Sequence, residues 1–110
     1  MDIDVEKLLK AMLAAASEVL KKKWPATKDY AENEFRKLLL EAQHIGQLKT
    51  VKKISEQEAA YLMNLQRNAT HAVLLTIRGL GMVAVEEAVN AALAVVRDTI
   101  NSALGGWKIV

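Results

Sequence analysis

The sequence predicts an all-α protein, a bundle of three to four helices, and three observations predict it. One proline and five glycines in 110 residues leave few turn signals, so the elements between them are long. Apolar residues make up 52% of the chain while aromatics make up only 5%, so Ala, Leu and Val supply most of the apolar content. That mixture suits close helix packing better than a sheet. The apolar residues also recur at three- and four-residue spacing, which aligns them on one side of a 3.6-residue helix. Residues 1–110 read as one helical domain.

The first segment runs from about Ile3 to Lys23. Asp2 or Asp4 caps its start, and Glu6 suits the positive end of the helix dipole. Leu8, Leu9, Met12, Leu13, Ala16, Val19 and Leu20 make its apolar stripe. Lys21, Lys22 and Lys23 fall in the last turn, and Pro25 is expected to end the helix and push Trp24 out of the helical region. The second segment opens at Thr27 as N-cap, with Asp29 in its first turn. Ala31, Phe35, Leu38, Ala42 and Ile45 follow at packed-helix spacing, and the end falls between Leu48 and Lys53, with Gly46 inside.

Ser55-Glu56-Gln57-Glu58 opens the third segment as a capping box. The Ser55 hydroxyl accepts from the Glu58 N–H, and the Glu58 carboxylate reaches back to the Ser55 N–H. From there to Leu104 about fifty residues pass without proline. One unbroken helix would span about 75 Å, beyond the diameter of a globule of this size. A break at Gly79-Leu80-Gly81 gives a helical hairpin followed by two shorter helices, and the glycine on each side of Leu80 favours it. Gly105-Gly106 ends the last helix, leaving Trp107-Lys108-Ile109-Val110 as a tail that docks on the surface.

Fifteen basic against thirteen acidic residues give a net charge of +2, too even a balance to imply nucleic acid or an anionic membrane as partner. The basic clusters, Lys21-Lys22-Lys23-Trp24 and Lys49 with Lys52 and Lys53, fall at opposite ends of an antiparallel hairpin and complement helix C-termini. Zero cysteines rule out disulfides and thiolate metal sites. The longest apolar stretch, Ala69 to Val85, is interrupted by His71, Thr76 and Arg78, so no membrane span is expected. Met1-Asp2-Ile3-Asp4 is acidic where a secretory leader is basic, and a cytoplasmic location is the expectation.

Nucleophilic catalysis has no foothold. Ser17, Ser55 and Ser102 lie in no nucleophile-elbow pattern, and Gly79-Leu80-Gly81 lacks the lysine and preceding strand of a phosphate loop. Asn68-Ala69-Thr70 matches a glycosylation acceptor but sits within a helix. No cofactor is expected. Glu41-Ala42-Gln43-His44 reads Glu-x-x-His, and this motif resembles that of the ferritin-like carboxylate proteins, whose di-iron sites use two such motifs plus a Glu from each of two other helices. The resemblance implies a carboxylate/His metal-binding oxidase or storage subunit, with Glu34, Glu41 and His44 as ligands. Asn68, not Glu, stands three residues before His71, so a second motif would have to come from a second chain. On a helical wheel Glu41 falls roughly 100° and His44 roughly 160° from the apolar centre, which points the pair outward; Glu34 flanks the stripe.

The remaining polar candidates are His71 and Arg78, read as buried polar residues of the core or of an interface. Between Gly79 and Ala103, Ala84, Ala88, Ala91, Ala92 and Ala94 interleave with Val83, Val85, Val89, Leu93, Val95 and Val96. These residues occupy nearly every direction around the helix, and a helix apolar all round is buried on more than one side. The expected interface is therefore Val83, Ala84, Ala88, Ala91, Ala92, Val95 and Val96, in a homo-oligomer or against another protein. The leading functional expectation is a helical self-assembling or protein-interaction subunit, and the ferritin-like metal protein is the alternative.

Overall fold

The computed structural model describes residues 3–110, so Asp2 as a cap and the Met1-Asp2 part of the leader reading lie outside the described residues. Four α-helices follow one another: α1 Val5–Leu20, α2 Trp24–Thr50, α3 Glu56–Leu74 and α4 Met82–Ala103. There is no strand among the described residues. Neighbours in sequence run antiparallel, since Arg36 of α2 reaches back to Glu6 of α1 and Arg67 of α3 meets Asn90 of α4. The 27 residues of α2 make a rod of about 40 Å, matching the 43 Å long axis of the molecule. A 75 Å helix therefore has no place here, and the break between α3 and α4 settles that alternative.

Asp4 caps α1, its carboxylate accepting from the Lys7 N–H at 3.1 Å. The helix ends at Leu20, three residues earlier than its lysines suggest, because Lys21 takes a positive φ of 48°. Lys21–Lys23 then form one tight 3₁₀ turn that leads straight into α2. Here two expectations are corrected. Trp24 is helical, with φ −60° and ψ −46°, and Pro25 lies in the first turn of α2. A proline there forfeits nothing, because first-turn N–H groups have no intrahelical acceptor. Thr27 is accordingly not an N-cap: it is fully buried and its hydroxyl donates to the Lys23 carbonyl at 2.7 Å.

The Ser55–Glu58 capping box is present in both directions, at 3.1 Å and 3.0 Å. α3 stops at Leu74, five residues before the first glycine. Ile77 and Leu80 in the connecting loop are both buried and pin it to the core. Gly79 has φ +91°, and a Cβ there would stand 2.7 Å from the Lys23 ammonium, so the α1–α2 turn and the α3–α4 loop meet at one end of the bundle.

One apolar cluster runs through all four helices, with Met12, Ala16, Phe35, Leu39, Ala92 and Val96 in its middle. α1 packs on α2 and α4, α2 packs on α3, and α3 touches α4 only sparsely. That α3–α4 seam is closed in its lower half by the C-terminal tail. Gly105 and Gly106, both at positive φ, turn the chain back. Ile109 is buried, and the Asn101 side-chain oxygen accepts from the N–H groups of Ile109 and Val110 at 3.2 and 3.3 Å. The Lys108 N–H donates to Glu56 at 3.3 Å, tying the tail to α3.

Candidate functional site

The metal alternative can be tested against side-chain placement. Glu34 is 2% exposed, where the wheel had placed it only beside the apolar stripe, and its carboxylate accepts from Lys37 at 3.0 Å and from Asn33 at 3.4 Å. Glu41 and His44 stand two turns further along the same helix and face each other at 3.8 Å, with His44 largely exposed. Two helical turns separate Glu34 from Glu41 by about 10 Å, whereas ligands of one ion each lie roughly 2 Å from it. The three side chains do not converge. Among the described residues no group of three or more His, Asp or Glu gathers in a metal-binding arrangement. The residues present do not fit a di-iron centre.

The α4 residues divide. Ala88, Ala92 and Val96 have no exposed surface, and with Val85, Val89 and Ile100 they form the face that α4 turns into its own bundle. These three are thus core residues of the single chain, not a surface awaiting a partner. Small side chains let α1 lie close against them, so one chain covers more of α4 than its composition suggests. Val83 and Val95 remain exposed, at 70% and 50%, while Ala84 and Ala91 are half-buried. The outermost line of α4 carries the charged residues Glu87 and Asp98 with Ala94 between them, while Asn90 and Asn101 turn toward the α3 seam and the tail.

Arg78 is exposed, which corrects its reading as a buried residue: α3 has already ended, and Arg78 sits in the loop. His71 is half-buried in the upper seam. Its Nε2 is buried and has no hydrogen-bond partner among the described residues. Burial there, together with the positive charge of Arg67, pushes the imidazole below its ordinary value; Glu86 across the seam opposes this.

The outer face of α3 was not singled out by sequence. Tyr61, Leu65, Ala69 and Ala72 are all exposed, with Tyr61 at 63% and Leu65 at 48%. At 100° per residue they share an arc of about 80° on the side away from buried Ala59, Met63 and Thr70. Arg67 is the sole Lys, Arg, Asp or Glu between Ala59 and Leu75, and it lies toward the seam, bonded to Asn90. At its N-terminal end this face opens into a shallow apolar concavity of about 430 Å³ lined by Leu48, Ile54, Tyr61 and Leu62, with Lys53 and Glu58 at its edge. Exposed Val51 lies on the connection from α2. The outer faces of the other helices all carry charge: Lys7, Lys10 and Glu18 on α1, Lys37 on α2, Glu87 and Asp98 on α4.

No helix among the described residues is long and apolar enough to cross a membrane. The chain matches no protein-family model, no curated protein and no solved structure.

Proposed function

We propose that this chain is a helical self-assembling subunit whose copies meet through the outer face of α3. The observation that carries the reading is the uncharged, exposed line Tyr61–Leu65–Ala69–Ala72, continuous with the concavity beside Ile54. Exposed apolar surface of this continuity is characteristic of interaction sites. A two-fold pair sets each patch against its own copy, so a charged patch repels itself and an uncharged one does not. Ala69 and Ala72 let two backbones approach, while Tyr61 and Leu65 supply area and, through the tyrosine hydroxyl, one polar contact. The near-neutral chain, at +2, adds little long-range repulsion.

Light scattering across micromolar concentrations tests this. The wild type is expected at two chain masses or more, and Leu65→Glu at one chain mass, 12.1 kDa, with its helical circular dichroism intact. A wild type that holds 12.1 kDa throughout removes the proposal.

A further inference from the structure

The net charge of +2 is unevenly distributed, and the fold gathers the positive excess at one end of the bundle. The α1–α2 turn and the α3–α4 loop meet there, with the Lys23 ammonium beside Gly79. Segments 19–28 and 75–85 build this end. Between them they hold Lys21, Lys22, Lys23, Lys28 and Arg78, and not one Asp or Glu. All five residues are exposed, and none is ion-paired with a carboxylate among the described residues. The flanking carboxylates Glu18, Asp29, Glu86 and Glu87 lie farther down the helices. The opposite end is mixed: Lys52 and Lys53 share it with Asp4, Glu56 and Glu58. The even balance of the whole chain, which argues against an anionic partner, is an average over these two unlike ends.

The same basic end carries exposed apolar side chains. Met82 and Val83, each 70% exposed, are the most exposed large hydrophobic residues among the described ones. Met82 opens α4 three residues after Gly79, a span of at most about 11 Å. Apolar side chains beside unpaired cations suit the boundary of an anionic bilayer. There the apolar groups enter the acyl edge, and the cations meet the phosphates and carboxylates of the headgroups. We propose that this end of the bundle docks on an anionic membrane surface, with Met82 and Val83 inserted and Lys21, Lys22, Lys23 and Arg78 on the headgroups. The attachment is peripheral, since no helix among the described residues is long and apolar enough to cross a membrane. A nucleic acid would meet the same cations but leave Met82 and Val83 in water. It would also find no exposed aromatic ring to stack on in these two segments, where Trp24 is half-buried.

The test is co-sedimentation of the whole chain with two kinds of vesicle. One is phosphatidylcholine alone; in the other about a third of the lipid is phosphatidylserine. The wild type is expected to bind the anionic vesicles, less so as salt rises, and to leave the neutral ones in suspension. Lys22→Ala and Arg78→Ala are each expected to weaken that binding about 5-fold, the effect of one cation at an anionic surface. Lys10→Ala, exposed on α1 away from this end, is expected to bind as wild type does. Met82→Gln combined with Val83→Thr keeps the charge and nearly the shape, and is expected to weaken binding roughly 10-fold by removing the inserted groups. Helical circular dichroism shows that each variant is folded. Equal binding of the two vesicles, binding to neither, or tighter binding to duplex DNA than to anionic vesicles overturns the proposal. So does a Met82→Gln/Val83→Thr chain that binds like wild type. Leu65→Glu is expected to keep the preference for anionic vesicles, which separates this result from α3 pairing; a preference lost there would assign lipid contact to the α3 face and overturn the proposal.

Discussion

The Lys49 ammonium lies 4.6 Å from the centre of the Trp107 ring, over its face, and also donates to the Leu104 carbonyl at 2.5 Å. One side chain near the end of α2 thereby caps the end of α4 and holds the tail that follows it. Lys49→Met keeps most of the aliphatic stem but removes both interactions. It is expected to cost about 1 to 2 kcal/mol, read as a lower urea midpoint at unchanged slope. Lys52→Met, at an exposed site on the same connection, is the control and is expected to stay within about 0.5 kcal/mol of wild type.

The tail is expected to be part of the fold and not an appendage. Ile109 is 7% exposed and closes the lower seam beside Leu38, Met63 and Leu93. Ile109→Ala leaves a void there and is expected to cost about 2 kcal/mol, less than the largest core truncations because a chain end relaxes more readily. Chemical denaturation measures it. A variant as stable as wild type would show that the tail contributes little to the bundle.

The pH dependence near neutrality is expected to come partly from His71. Its folded value is depressed below the ordinary 6.5 by burial and by Arg67. Above 6.5 the ring is neutral in both states and contributes no slope. As pH falls below 6.5 the unfolded chain takes up a proton that the folded chain refuses, so stability declines until the folded value is reached and is flat beneath it. Comparing urea midpoints at about pH 7.5 and pH 5.5 for wild type and His71→Gln isolates this part, and the variant is expected to show the shallower decline. Equal declines would place His71 in solvent.

The α3 cap gives a slope of the same sign in a more acid window, there from a contact that stabilises the charged form. The backbone N–H of Ser55, and then its side chain, hold the Glu58 carboxyl below its ordinary value. Its contribution is therefore present above 4.5 and lost as pH falls through the lower folded value. Glu58→Gln is expected to be less stable than wild type at neutral pH and to converge with it in acid. Ser55→Ala removes the other half of the box and is expected to cost about 1 kcal/mol at any pH above that range. Thermal melts of the two variants at neutral and acid pH check both statements.

What the sequence made legible was local chemistry. Ser55 and Glu58 satisfy each other within four residues, so their box could be read without knowing the fold. The α3–α4 break was legible from Gly79 and Gly81, but the true end of α3 at Leu74 was not. Nothing between Leu75 and Arg78 opposes a helix; the chain leaves it because Ile77 and Leu80 reach the core, a tertiary effect. Pro25 misled because a proline that ends one helix and a proline in the first turn of the next look alike from sequence. The two surfaces differ in the same way. The uncharged arc Tyr61–Leu65–Ala69–Ala72 lies on one helix and was there to be read. The crevice lined by His71, Leu75, Met82, Val85 and Glu86 was not, because α3 and α4 bring these residues together only after the loop has folded back.

The α4 stripe illustrates that composition alone does not say what covers a helix, and it yields the sharpest test. Alanine and valine around a helix say that several sides are covered, but not by what. α1 and the rest of the bundle cover Ala88, Ala92 and Val96 completely, whereas Leu65 on α3 stays 48% exposed. A carboxylate introduced at Ala92 therefore enters the core with no partner, at a cost of several kcal/mol. A single chain of this size has little more than that to lose. Ala92→Glu is expected to abolish the cooperative thermal transition, while Leu65→Glu is expected to keep the transition and change only the mass. If Ala92→Glu instead melts like wild type and merely dissociates, the interface lies on α4, and the α3 face is an ordinary piece of surface.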